Sequence, residues 1–231
     1  MPRGKVLLKI SGEALGGRGS QYSAGAMDFI HGEVLSLINA GQIPCIVVGG
    51  GNIYRGRTEF FDRVTGDRIG MLATVMNALA LADYLNSKGI SAKAYSSIEM
   101  PRIAALFNKE QVLNDISSGI IPVFGGGTAN PFFSTDTLVA LRAAELGIGI
   151  ILKGSTVDGI YDKDPKKNKN AVKYKKIAFN ADIDLDVILD QSAFFLAKQN
   201  RTEIVVYDFF KKGNTLKALN KKTGTYIYWG K

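Results

Sequence analysis

The sequence predicts an α/β fold with a mainly parallel sheet covered by helices on both faces. Three observations carry that prediction. Short apolar runs of strand length occur at Val6–Ile10, Ile43–Val48, Ile120–Phe124, Ile148–Leu152 and Ile204–Tyr207. Segments with helical period lie between them, as crossover connections require. Several runs are apolar along their whole length, which suits strands buried on both sides.

Each element has its own signals. The first run leads into Ser11-Gly12-Glu13. Met27, Ile30, Val34, Leu37 and Ile38 then recur at helical spacing, and Gly41 ends that segment. Ile43–Val48 stops on Gly49-Gly50-Gly51-Asn52. Ile69, Leu72, Val75, Met76 and Leu79 mark a second helix, stopped by Lys88-Gly89. Ile120–Phe124 runs into Gly125-Gly126-Gly127-Thr128. Ser134-Thr135-Asp136, a run of good N-cap residues, opens a helix through Leu138, Leu141 and Ala144. Ile148–Leu152 is followed by Lys153 and a loop, Gly154-Ser155-Thr156-Val157-Asp158-Gly159. Asp182–Lys198 reads as two short helices before the last strand. No linker composition interrupts the middle of the chain, so residues 1–231 are expected to form one domain.

Composition narrows the function classes. The chain is 46% hydrophobic and 22% charged, ordinary values for a globular protein. No uninterrupted apolar run approaches the ~18 residues of a membrane span. Val6–Ile10 is short and carries Lys9, unlike the apolar core of a signal peptide. Cys45, the only cysteine, lies in an apolar strand and reads as a packing residue. A cytoplasmic location follows as the expectation. The net charge of +8 looks like a nucleic-acid signal. Yet Lys163 to Lys176 holds seven lysines and one aspartate, leaving 22 basic and 20 acidic residues elsewhere. That distribution fits a solvated loop near an anion better than a nucleic-acid face.

In an open parallel sheet, ligands sit beyond the carboxyl ends of the strands. That rule gathers Ser11-Gly12-Glu13, the two glycine loops and the loop after Ile148–Leu152 at one edge. Glycine lets an anion approach peptide N–H groups closely, so two such loops suggest a substrate with several phosphates. Phosphoryl transfer needs charge neutralisation and alignment more than covalent help. Lys9, Arg55 and Lys153 supply positive charge near this edge. Asp136 and Asp190 are candidates for holding Mg²⁺ or orienting lysines. The residues leave other readings open. Asp136 equally suits a helix cap, Asp67 suits a helix start regardless of ligand, and Asp190 suits a surface position. The chain has no G-x-x-x-x-G-K-[ST], no G-x-G-x-x-G after a strand and no kinase H-R-D or D-F-G set. His31, the only histidine, lies among helix residues far from the strand-end loops, so no Ser-His-Asp or Cys-His machinery is available.

Several segments resemble the bacterial UMP kinases of the amino acid kinase superfamily. They are Lys9-Ile10-Ser11-Gly12-Glu13-Ala14-Leu15, Val48-Gly49-Gly50-Gly51-Asn52-Ile53-Tyr54-Arg55-Gly56, Gly66-Asp67, Met71 to Asn77, Asn130-Pro131-Phe132-Phe133-Ser134-Thr135-Asp136, Val157 to Tyr161 and Asp164-Pro165. The likeness runs in order from residue 5 to about 228. It implies a three-layer α/β/α sandwich, transfer of a phosphoryl group from ATP to UMP with Mg²⁺, a homohexamer, and inhibition by UTP or activation by GTP. It also implies roles. Lys9, Ile10, Ser11 and Gly12 would bind ATP phosphates, with Lys9 stabilising charge during transfer. Gly51 and Arg55 would meet the phosphates where the two nucleotides join. Ser155, Tyr161 and Asp164 would surround the adenosine. Gly50 would touch UMP, Asp67 would take its ribose hydroxyls, and Thr128, Ala129, Asn130, Pro131, Phe132, Phe133, Ser134 and Thr135 would wrap the uridine. Asp136 would place metal or lysine, and Asp190 would orient the catalytic lysines, Lys153 among them.

The chain departs from that pattern at Ala129, where glycine is frequent. It also departs at Gly154-Ser155, which replaces Ala-Thr, in the lysine-rich segment, and in the aromatic Tyr226-Ile227-Tyr228-Trp229. Two other functions stay open on the residues. One is a relative that phosphorylates an amino-acid carboxylate; the other is a nucleic-acid-binding regulatory protein using Lys163–Lys176.

Overall fold

The computed structural model describes residues 4–16, 20–54, 60–165, 167–181 and 190–229. In chain order, β1 (Gly4–Ile10) leads through a 3₁₀ turn at Gly12–Ala14 to α1 (Ala24–Asn39), β2 (Gln42–Val48), α2 (Arg63–Ser87) and β3 (Ala92–Ser96). Then come β4 (Ala105–Leu106), α3 (Lys109–Ser117), β5 (Ile121–Gly125), α4 (Thr135–Leu146) and β6 (Ile150–Ser155). A hairpin of β7 (Ile160–Tyr161) and β8 (Lys173–Tyr174) precedes β9 (Lys176–Ala178), α5 (Gln191–Gln199), β10 (Glu203–Asp208), α6 (Asn214–Leu219) and β11 (Thr225–Tyr228).

Nine strands form one sheet in the order β4-β3-β5-β2-β1-β6-β10-β11-β9. Neighbours are parallel except β10 and β11, so β11 and β9 run against the rest. Side-chain alternation builds two cores. Val6, Leu8 and Ile10 of β1 pack with Ile46, Val48 and Leu152 under α1, α2 and α6. Leu7, with Cys45, Val47 and Ile151, packs under α3, α4 and α5. The expected three-layer α/β/α sandwich is therefore present. Burial pushes the Cys45 thiol up to about 12, which fits a packing residue.

All five expected strands and the three expected long helices form. Their ends differ in one instructive way. The fourth run was expected over Ile148–Leu152, but β6 starts at Ile150 and continues through Lys153 and Gly154 to Ser155. The chemistry-bearing residues there sit on a strand, not in a loop. Of Asp182–Lys198, residues 182–189 lie outside the described residues, and α5 covers the rest. Tyr226–Trp229 is mostly β11, with Ile227 buried in the α5-side core and Trp229 packed on Phe179. The α2 helix is long and apolar enough to cross a membrane, but half of that stretch is buried within the fold. It is a core helix.

Short α6 depends on a partner from α1. Buried Glu33 accepts hydrogen bonds from the Gly213 amide at 2.6 Å and the Thr215 amide at 3.0 Å. It thereby satisfies donors that a helix start leaves free. Glu33→Ala should destabilise the protein by about 2 kcal/mol, roughly 4–8 °C in melting temperature for a chain of this size. A melting curve matching wild type would remove Glu33 from the list of residues that hold α6.

Candidate active site

Strands β5, β2, β1 and β6 are consecutive in the sheet and parallel. The four loops singled out in the sequence therefore emerge side by side at one edge. Helix α2 explains much of their glycine. A Cβ on Gly50 would lie 3.0 Å from the Gly70 carbonyl oxygen, and one on Gly125 only 2.6 Å from the Thr74 carbonyl oxygen. Only a strand end without side chains lets the helix come this close. Buried Asn77 fixes the first loop, donating to the Gly49 carbonyl at 2.6 Å and to the Asn52 side-chain oxygen at 2.7 Å. Thr74 fixes the second, accepting the Gly126 amide at 2.7 Å.

Lys9 and Lys153 are register partners on β1 and β6. Like charges directly opposite on neighbouring strands repel. Between them stands Asp136, in the first turn of α4. Its Oδ1 lies 3.4 Å from Lys9 Nζ, and its Oδ2 accepts a hydrogen bond from Lys153. All three side chains are less than a fifth exposed. Burial alone would raise the Asp136 carboxyl, but Lys9 and Lys153 outweigh it and hold the group below the usual carboxylate range. Burial pulls the Lys153 ammonium below an ordinary lysine, with Asp136 opposing that pull and Lys9 adding to it. The cap of α4 is Ser134, whose Oγ accepts the Asp136 and Thr137 amides. The carboxylate of Asp136 is thus left for the lysines.

Asp190 is neither surface nor interior to a helix: it caps α5. Its Oδ1 accepts the Ala193 amide at 2.7 Å, and its Oδ2 accepts hydroxyl hydrogens from Ser134 and Thr137. Its hydrogen bonds reach the head of α4, and its charge raises Lys153 through space. The helix start that carries Asp136 is therefore tied to α5.

A cleft of about 280 Å³ opens beside this group. Gly50, Asp67, Phe133, Ser134 and Thr135, which the sequence reading gave to one substrate, line it with Gly51, which it gave to the phosphates where the two substrates join. Tyr54, Gly66, Gly70, Met71, Thr74 and Gly127 line it too and had no assigned role. Five of the lining residues, Gly66, Asp67, Gly70, Met71 and Thr74, recur three and four apart on α2. That is the spacing of one helix face. Asp67 does not cap α2; Asp62 does, accepting the Thr65 amide. Asp67 instead accepts the Phe132 amide at 2.7 Å, with Arg63 over the Phe132 ring at 5.0 Å. This holds the 128–133 loop across α2. Ala129 and Phe132 take left-handed conformations there, at φ 62° and 75°. The alanine methyl is carried where glycine would be free of strain.

Other expected residues are placed as follows. The Ile10 side chain is fully buried in the sheet core, and its carbonyl accepts the Gly49 amide. Ser11 and Gly12 open the 3₁₀ turn beside Gly49–Asn52. Ser155 ends β6. Tyr161 donates to Asp158 at 2.6 Å, which also takes Lys173 at 2.9 Å, and these contacts tie β7 to β8. Asp164 lies in the loop between those strands, its carbonyl accepting the Lys167 and Asn168 amides. Arg55 lies outside the described residues.

Residues 4–208 match the family model described as the amino acid kinase family. The fold is similar to the UMP kinase of Ureaplasma parvum, with a TM-score of 0.90 and 31% identity over 99% of this chain and 100% of that one. It is similar also to the UMP kinase of Bacillus anthracis, with a TM-score of 0.91 and 33% identity over 99% and 97% of the two chains.

Asp136→Asn leaves two buried ammonium groups without their anion. The variant should lose about 3–5 kcal/mol of stability at neutral pH. A lysine whose pKa is lowered in the folded state destabilises below that pKa and recovers as pH rises toward its unfolded value. The deficit should therefore shrink between neutral and alkaline pH, as Lys153 loses its proton. A deficit independent of pH in denaturant titrations would disprove this account of the triad.

Proposed function

Because the chain belongs to the amino acid kinase family and groups there with bacterial UMP kinases, we propose that it transfers a phosphoryl group from ATP to UMP, giving ADP and UDP. The observation that carries this reading is the Lys9–Asp136–Lys153 triad, whose Asp136 directly follows Thr135, a residue that lines the cleft with Asp67 and the glycine loops. Transfer spreads negative charge over the phosphoryl oxygens and needs fixed positive charge on both sides. Lys9 and Lys153 supply it from rigid strands. Asp136 stands between them and offsets the burial of the Lys153 ammonium, and Asp190 holds the start of α4 that carries Asp136. ATP lies along Lys9–Gly12, Gly51 and Arg55, its adenosine toward Ser155, Tyr161 and Asp164. UMP lies in the α2 cleft, its ribose on Asp67 and its base under the loop from Thr128 through Ala129, Asn130, Pro131, Phe132, Phe133 and Ser134 to Thr135.

Magnesium fits this site as a companion of ATP, not as a protein-held ion. No group of three or more His, Cys, Asp or Glu side chains suited to a metal occurs among the described residues. Asp136 Oδ1, 3.4 Å from Lys9 Nζ and without a hydrogen-bond partner among the described residues, would supply one ligand, with phosphate oxygens supplying others. The bound ion would neutralise the bridging phosphates during transfer. The same reading carries a single domain over residues 1–231, a cytoplasmic enzyme of pyrimidine nucleotide biosynthesis, and a homohexamer. Exposed Leu72 and Met76, one turn apart on α2, support an interface between copies. UTP, sharing the uridine, would compete for the cleft as an inhibitor. Residues that wrap uridine and ribose favour UMP over an amino-acid carboxylate. The lysine-rich segment falls largely on the β7–β8 hairpin beside the ATP loops, which favours ATP over nucleic acid.

ADP release from MgATP, measured with UMP, CMP, GMP and N-acetylglutamate as separate acceptors, tests the assignment. UMP alone should support turnover; silence with UMP would end the proposal. Asp67→Ala should raise KM for UMP by about tenfold or more, through loss of hydrogen bonds to a charged group. If KM stays put while the melting temperature drops, Asp67 serves only to hold the Phe132 loop.

A further inference from the structure

Three buried side-chain polar atoms lack a hydrogen-bond partner among the described residues: Asp136 Oδ1, Arg142 Nε and the Tyr54 hydroxyl. Two belong to residues placed at the site. Asp136 is explained by its lysines, and Arg142, away from the cleft, has its guanidinium stacked on Phe107 at 3.5 Å. Tyr54 has no such explanation. Closing off a hydroxyl from water without a partner is costly, so the group calls for one that the described residues do not supply.

Its position says what the partner is. Tyr54 lines the α2 cleft with Gly50, Gly51, Asp67 and Gly70. The Tyr54 amide donates to the Gly50 carbonyl at 3.0 Å, so the residue is fixed one turn from the first glycine loop. Its ring edge lies 3.9 Å from where a Cβ on Gly70 would stand, one turn along α2 from Asp67. The hydroxyl-bearing ring therefore sits between the loop assigned to phosphate and the carboxylate assigned to ribose. The cleft, at about 280 Å³, is slightly below the ~300–1,000 Å³ typical of ligand pockets. The wall across from α2 is suited to yield, since the 128–133 loop carries two non-glycine residues at positive φ and is held to Asp67 through the Phe132 amide.

We propose that the Tyr54 hydroxyl is a contact to the acceptor nucleotide, hydrogen-bonding an oxygen of its ribose 5′-phosphate. This rests on reading the cleft as the UMP site. The contact makes Tyr54 a residue for acceptor affinity, silent toward ATP. Its cost in the free protein is returned on binding.

The test is Tyr54→Phe, which keeps the ring and deletes one oxygen. KM for UMP should rise about tenfold, as for loss of one good hydrogen bond, with KM for ATP unchanged. The melting temperature of the free variant should equal or exceed wild type, because the deleted group was unpaired. Its rise on adding UMP should be smaller than in wild type. 2′-Deoxy-UMP tests the phosphate against the 2′-hydroxyl: an equal loss with both nucleotides is the expected result, and a variant that no longer distinguishes UMP from 2′-deoxy-UMP would overturn the phosphate contact. Unchanged KM and unchanged thermal response to UMP would overturn the proposal, as would a lower melting temperature of the free variant with intact UMP kinetics. If wild type itself neither turns over UMP nor is stabilised by it, the acceptor assignment falls instead.

Discussion

The site depends on one carboxylate placed between two lysines that the sheet forces side by side. Register puts Lys9 opposite Lys153, on the same face and one strand spacing apart. Both ammonium groups are largely withdrawn from water. Asp136 offsets the burial that pulls the Lys153 ammonium down, and the two lysines hold the buried Asp136 carboxyl below its ordinary range. One negative charge against two positive ones leaves a desolvated surplus of one. That surplus is a standing attraction for a phosphoryl oxygen, and it is strong because little water screens it. Much of the surrounding architecture serves this arrangement. Ser134 caps α4 so that Asp136 is released from capping, and Asp190 joins that cap to the start of α5.

A second constraint is the close approach of α2 to two strand ends. The helix backbone lies where side chains on Gly50 or Gly125 would collide with it. The same glycines that invite anion approach are thus also required by packing, and neither reason excludes the other. Closeness makes the cleft narrow and aligns Asp67, Gly70, Met71 and Thr74 along it. The loops around it are held by a few hydrogen bonds to Asn77, Thr74 and Asp67. The cleft therefore combines a rigid helical wall with a lightly tethered opposite wall, the division expected where a substrate must enter and then be enclosed.

Much of this was legible in the sequence because it rests on local signals. Apolar runs ending on glycine located β2 and β5, and the strand-edge rule located the site. Lys9 and Asp136 were visible as candidates, but their relation was not. The pairing with Lys153 arises from register between strands far apart in the chain, which no local pattern encodes. Lys153 itself ended the predicted strand, because a charged residue inside a buried strand makes no sense until its counter-charge is known. The roles of Ser134 and Asp190 were hidden for a similar reason. Three good cap residues stand in a row, and only tertiary contact decides which one caps. Short elements such as β4 and β9 are ordered by their neighbours and carry little pattern of their own. Tyr54 stood in a quoted motif, yet its meaning comes from burial without a partner.

The lysine-rich segment illustrates how structure changes the weight of a composition signal. In the sequence it stands for most of the surplus charge. In the fold, Lys173 is paired with Asp158, and that pair, with Tyr161, ties β7 to β8. Ile160 is in turn anchored to Thr225 on β11, at 2.8 Å. The hairpin is therefore positioned by the sheet and not free to wrap a polymer. Lysines such as Lys163, Lys167 and Lys169 stand exposed on the loop between β7 and β8, which follows the carboxyl end of β6. A fixed cluster of like charge attracts small anions over about a Debye length, ~8 Å at physiological salt, and the attraction fades beyond it. Such a cluster raises the local concentration of a polyphosphate without specifying its sequence or shape. Specificity is left to the cleft, where donors and acceptors have fixed directions. Capture and recognition are thus carried by different parts of one sheet edge.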